Sequence, residues 1–227
     1  MPKLAVQTNG LDYVGTYSRP AFSLWGQGAK VVSGLYDAFT PMGVSLSQIS
    51  SKSGGDGVAS ESVNVLLGKR GIFQFRFDRV AVSKKDFTDA ELIDFPSVAK
   101  AGIDWLLRAA PETEFESHTF SYAGHAEILG SDSREYLSSL LYPDLEVGHD
   151  LGSGIIFHRE IPIRSAKMEL TVDHSKVIEG GLFLSFVVDI ERGFLDYRDS
   201  IDYWLSTLNA SLNAIDLQFD RQLRSVE

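Results

Sequence analysis

Residues 182–190 read LFLSFVVDI, and the fold turns on this stretch. Leu182, Leu184, Phe186, Val188 and Ile190 recur at a spacing of two, so an extended backbone puts them on one face. Phe183 and Val187 make the other face apolar as well, which predicts a strand that is central in a sheet or covered on both sides. Upstream, GIFQFRFD at residues 71–78 alternates cleanly, with Phe73, Phe75 and Phe77 opposed to Gln74, Arg76 and Asp78. Between the two, Met168, Leu170 and Val172 alternate with Lys167, Glu169, Thr171 and Asp173. Glycine-bearing turns at residues 68–71 and 179–181 bound these strands.

Further strands are predicted over residues 63–67, 115–128 and around Ile155 and Phe157. Residues 3–7 and 11–17 read as a small hairpin about Asn9-Gly10. Elsewhere the period changes. Leu24, Val31, Val32, Leu35 and Phe39 lie near one helical stripe, capped by Ser23 and ended by Pro41 and Gly43. Pro96 begins a second helix carrying Val98, Ala101, Trp105, Leu106 and Ala109, which Pro111 stops. Asp132 and Glu135 have capping-box spacing before Leu137, Leu140 and Leu141. Over residues 199–223, Ile201, Trp204, Leu205, Leu208, Leu212, Ile215 and Phe219 form one continuous stripe, predicting a long helix as the main cover of the sheet.

The order is β-α-β-β-β-α twice, over residues 1–112 and 113–227, and predicts an α+β protein whose halves form one compact unit. In topology this resembles the helix-grip and TATA-binding-protein-like folds. The resemblance implies a curved antiparallel sheet covered by long helices and implies no activity.

The chain has 227 residues, 44% of them hydrophobic and 23% charged, which is the composition of an ordinary globular protein. With no cysteine it has no disulfide, thiolate metal site or cysteine nucleophile. It carries 31 acidic against 21 basic residues, a net charge of -10, which repels phosphate backbones and anionic lipids at long range. Neither nucleic acid nor membrane is therefore an expected partner. The N-terminus lacks the apolar core of a signal peptide, so a cytoplasmic protein of bacterial or phage type is expected.

Candidates for chemistry are sparse. His125 and Glu127, and His158 and Glu160, each place an imidazole and a carboxylate on one side of a strand. That spacing arises readily in an acidic chain, and no metal or cofactor is assigned on it. Asp189 interrupts an apolar strand and needs a partner such as Arg192 or a backbone donor. The loop SKSGGDG at residues 51–57 lacks a Walker ending, and Ser153 lacks a nucleophile-elbow frame, so no catalytic residue is assigned. Tyr203 and Trp204 are adjacent and cannot share a helical stripe, which makes Tyr197, Tyr203 and Trp25 candidates for an interface. The expectation is a non-enzymatic protein-binding or assembly protein that associates with itself. One alternative is a small-molecule-binding domain or enzyme, with a cavity between sheet and last helix lined by Phe73, Phe75, Phe77, Leu184 and Phe186. Its ligand-binding residues would be His158, Glu160 and Asp189 near the mouth. Another alternative is an acidic inhibitor or immunity protein of bacterial or phage conflict, covering a basic target.

Overall fold

The computed structural model describes residues 2–52, 61–87, 89–140, 154–161, 166–191 and 197–220. Its first strand, β1 (Lys3–Tyr17), is a single element of 15 residues where a hairpin was expected. Two features replace the turn. Asn9 uses its side chain elsewhere, accepting from the Phe87 N–H at 2.9 Å and donating to the Phe87 carbonyl at 3.2 Å. A bulge between Val6 and Thr8 changes the parity of the strand, so that Leu4 before it and Leu11, Tyr13 and Tyr17 after it are all buried.

The remaining strands are β2 (Ile49–Lys52), β3 (Ser62–Leu67), β4 (Gly71–Arg76), β5 (Arg79–Lys85), β6 (Phe115–Leu129), β7 (Ile155–Ile161), β8 (Ala166–His174), β9 (Leu182–Glu191) and β10 (Gln218–Phe219). They form one 10-stranded sheet in the order β2-β3-β4-β5-β1-β6-β9-β8-β7, with β10 beside β1. Every neighbouring pair on that path is antiparallel, whereas β10 joins Lys3 and Leu4 in parallel. The path is open, with β2 and β7 at its ends.

The expected curved sheet of helix-grip or TATA-binding-protein-like form is therefore corrected. The sheet is an α+β antiparallel sheet that is neither curved nor closed. The predicted long helix that such a sheet would wrap is shorter than expected: α4 (Tyr197–Asn213) ends well before residue 223. Asp216 turns the chain at φ 57, and Phe219 reaches the core from β10, packing edge-on to Tyr122 at 5.8 Å. Its spacing of four from Ile215 was thus a coincidence of two different elements.

Cover comes instead from several helices. α1 (Gly28–Phe39) buries Val31, Leu35 and Phe39, and the expected start at Leu24 is a separate 3-10 turn over Phe22–Leu24. α2 (Asp89–Ala109) begins before Pro96, which sits inside it. A proline there removes one ladder bond without ending the helix. α3 (Ser133–Leu140) packs on β8 through Tyr136 and Leu137, while α2 lies over β4 and β5 and α4 over β6 and β9. All meet the buried face made by Phe73, Phe75, Val80, Tyr13, Phe120, Tyr122, Phe186 and Leu170. The strand at residues 182–191 is internal, as expected, between β6 and β8. Its second face is only half-buried at Phe183 and Val187, and no described helix packs there.

Two glycines let the helical layer approach closely. A Cβ on Gly34 of α1 would run into the Trp105 indole of α2, and one on Gly102 of α2 would run into the Phe73 ring of β4. Gly102→Ala should gain about 1 kcal/mol of helix propensity. Overpacking should cost about 1–3 kcal/mol. Urea denaturation is expected to show a net loss of stability, and a more stable variant would show that helix and sheet are not in contact at this point.

Candidate functional site

Alternation along each strand sends half of the side chains away from the helices, and registers assemble them into rows. One row runs Ser83, Asp12, Ser121, Val187, Glu169 and His158 across β5, β1, β6, β9, β8 and β7. The next runs Ala81, Val14, Thr119, Asp189, Lys167 and Glu160. A third holds Arg79, Thr16, Ser117 and Glu191. The middle of the face is thus built of small or neutral side chains, with Asp12 as its one charge in these rows. A trough of about 430 Å³ lies there, with Gly10, Ser121 and Ala123 in its lining together with Asp12, Lys85 and Phe183. At one end the His125 ring packs at 5.1 Å on Phe183, and its Nδ1 pairs with the Ser175 hydroxyl at 2.9 Å.

Charge is divided across this face. On the β2 to β5 side the outward strand positions include Lys52, Arg76, Arg79 and Lys85 and no carboxylate. Arg76 is held to Asp78 of the following turn, Nε to Oδ1 3.5 Å. On the β6 to β7 side the outward positions include Glu160, Glu169, Asp173, Asp189 and Glu191 against Lys167. Lys167 bridges to Glu191 at 3.2 Å.

The three expected ligand-binding residues share this face. Asp189 and Glu160 flank Lys167 in one row, and His158 stands opposite Glu169 in the next, Nδ1 to Oε2 3.6 Å. All three are exposed, so Asp189 is not the buried carboxylate its strand suggested. Its partner is the Thr119 hydroxyl, which donates to Oδ1 at 2.6 Å. Arg192 lies outside the described residues.

They were expected at the mouth of a cavity under the last helix. Among the described residues that interface is packed around Trp204: its ring stacks on Phe120 at 5.9 Å and tilts over Phe186 at 6.5 Å, and the Ser211 hydroxyl meets Met168 Sδ at 3.2 Å. Phe75 and Phe77 do line a cavity of about 230 Å³ beside Leu24, Val31 and Val63, but Leu184 and Phe186 have no part in it.

Of the aromatic candidates, Trp25 is 51% exposed and stacked with an equally exposed Phe22, centroids 6.1 Å apart. Tyr203 is half-buried against the core, and its neighbour Trp204 is buried. Tyr197 opens α4, and its side chain lies outside the described residues. What the sequence reading passed over is the centre of the face: Val14, Thr119, Ser121 and Ala123. Their signal was the alternation in residues 115–129, where small and polar side chains oppose His118, Phe120, Tyr122 and Ile128.

A second, polar depression of about 580 Å³ is lined by Asp132, Arg134, His174, Lys176 and Glu179, with Ser133 beneath. The Ser133 hydroxyl pairs with His174 Nδ1 at 2.8 Å. The serine is buried and its N–H donates to the Gly180 carbonyl, so this pair pins α3 to the end of β8. Among the described residues no group of His, Asp and Glu side chains is arranged to hold a metal ion, and no helix is long and apolar enough to cross a membrane. Compared with known proteins, the chain matches no protein-family profile and no curated sequence.

Asp132 accepts from the backbone N–H groups of Arg134 at 2.8 Å and Glu135 at 2.9 Å, while the Glu135 carboxylate turns to the Ser131 hydroxyl at 2.8 Å. Half of the expected capping box is thus formed. The Glu135 N–H first, then that of Arg134, hold the Asp132 carboxyl below the usual carboxylate range. A depressed folded-state pKa stabilises the protein above the unfolded value of about 3.9 and ceases to do so as pH falls through the lower folded value. Asp132→Ala should therefore melt below the parent at about pH 7 and approach it at about pH 2. Asp132→Asn should keep most of the cap at both. Thermal melts at the two pH values measure this, and a difference that persists unchanged in acid would assign the effect to something other than the carboxylate.

Proposed function

We propose that this chain is a protein-binding, assembly-type protein that works through the outward face of its sheet. The carrying observation is that one face of the 10-stranded sheet packs under helices α1 to α4 while the other bears a centre of small side chains, with Asp12 as its one charge, flanked by more densely charged strands. That distribution matches protein interfaces, whose centres are depleted of charge and whose rims are polar. Short side chains at Ala81, Ser121 and Ala123 leave the backbone surface accessible over several strands, as a broad partner requires. The exposed Phe22 and Trp25 offer a second, smaller contact at the turn before α1. The small-molecule alternative rested on a cavity beneath the last helix, and the filled Trp204 contact gives it no support there.

The absence of native cysteine allows a direct test. Ser121→Cys places one thiol at the centre of the face, and Lys176→Cys places one at an exposed turn as a control. In cells of the source organism, the Ser121→Cys thiol should react with a membrane-permeant maleimide at least about tenfold more slowly than in dilute purified protein, because a partner covers it. The control thiol should react alike in both. Equal reactivity of Ser121→Cys in both settings would remove the face from consideration as a binding surface.

A further inference from the structure

The division of charge across the open face has a geometry of its own. β1 and β6 are adjacent and each spans 15 residues, with β5 flanking β1 and β9 flanking β6. Arg79 of β5 pairs with Thr16 of β1, Thr16 with Ser117 of β6, and Ser117 with Glu191 of β9. Arg79 and Glu191 thus lie in one row, each one strand outside the central pair and on opposite sides of it. A twofold axis running along the strands between β1 and β6 would turn one copy over onto another. It would set the basic side of each face on the acidic side of the other, with Arg79 above the partner's Glu191.

We infer that the occupant of the open face is a second copy of this chain, stacked about that axis. The inference rests on the binding-face reading above and names its partner. Charge complementarity is its first support: a twofold lying across the strands would instead put basic side on basic and acidic on acidic. Shape is the second. Two sheets pack face to face about 10 Å apart with strands nearly aligned, which requires modest side chains between them. Val14, Ala81, Thr119, Ser121 and Ala123 meet that requirement at the centre. Area is the third. Ser62 and Asn64, the outward residues of β3, are buried, so the free face runs from β4 to β8 about the axis. Strands spaced about 4.8 Å apart and rows about 7 Å apart make it roughly 30 by 20 Å, or about 600 Å² per copy, the lower end of specific interfaces. The net charge of -10 opposes association at long range, so the opposed halves must supply the orientation and the small side chains around Asp12 the contact.

Charge exchange in purified protein tests this, with sedimentation equilibrium as the readout. Arg79→Glu puts a carboxylate against the partner's Glu191 at both symmetric contacts, and Glu191→Arg puts guanidinium against the partner's Arg79. Each should weaken the dimer at least about tenfold. Combining the two restores opposite charges and should recover most of the affinity. Neither residue is buried, and circular dichroism melts check that each variant folds. Separately, a short bis-maleimide should join Ser121→Cys protomers, fail with Ser121→Cys/Arg79→Glu and succeed again when Glu191→Arg is added. A chain that stays monomeric at all concentrations overturns the self-stacking and leaves the open face to a different protein, which the in-cell maleimide test would still detect. A dimer that withstands Ala123→Arg at the centre of the face uses another surface and overturns the stacking, and protection of Ser121→Cys in cells would then decide the broader reading alone. Weakening by both single exchanges without recovery in the double overturns the proposed axis.

Discussion

The structure depends on the antiparallel pairing of β1 with β6. Their register runs from Lys3 opposite Leu129 to Tyr17 opposite Phe115, interrupted only by the two irregularities at Val6/Thr8 and Thr16/Tyr17. Everything else hangs from this seam: β5 and the strands beyond it on one side, β9 and the strands beyond it on the other. Because a ladder fixes which side chains face together, the seam also decides that Tyr13 meets Phe120 on the helical side, ring centroids 4.9 Å apart. It puts Val14 beside Thr119 on the open side by the same rule. A slip of one residue would exchange the two faces. The buried Tyr13 hydroxyl, paired with His118 Nδ1 at 3.0 Å, adds a polar marker for the correct register inside an otherwise apolar layer.

The asymmetry of the two faces follows from where the helices can go. Helices that connect antiparallel strands of one sheet need to bury a stripe, and here Leu35, Ile103, Leu137 and Trp204 all bury theirs on the same side. The other side then remains half-wet, and its residues must satisfy one another laterally. Thr119 with Asp189, Lys167 with Glu191 and Gln74 with Asn64 do so across neighbouring strands. The first two are exposed and contribute little to stability individually. Their effect is to fix the directions of charged groups on a surface whose centre carries little charge.

Much of this could be read from residues alone. The spacing of Phe73 and Phe75, of Met168 and Leu170 and of Leu182 through Ile190 gave their strands and inward faces correctly, because period two has no competing explanation over such runs. The failures occurred where a local pattern had two physical solutions. Leu4 and Leu11 differ in parity, which a hairpin or a bulge can reconcile, and only the Asn9 bonds to Phe87 choose the bulge. Phe219 continues a helical stripe numerically, yet the turn at Asp216 places it in a strand. At the candidate site, His158, Glu160 and Asp189 were correctly placed on strands but could not be assigned a depth. Alternation tells which residues share a face and is silent on what covers it. The centre of small side chains was overlooked for a related reason: serine, threonine and alanine advertise no chemistry one at a time, and gain meaning only when registers bring them together.

The clasp of β10 on β1 bears on how the chain can acquire this structure during synthesis. Lys3 and Leu4 find parallel partners only much later in the sequence, at Gln218 and Phe219. The rest of β1 waits for β5 on one edge and β6 on the other. Until β6 is available, the nascent chain presents β1 as a long unpaired edge, a ready template for pairing with another chain. Contacts of such large sequence separation make for slow folding. The same strand that organises the finished molecule is therefore its point of greatest vulnerability on the ribosome, where β5, β6 and β10 are all made after it.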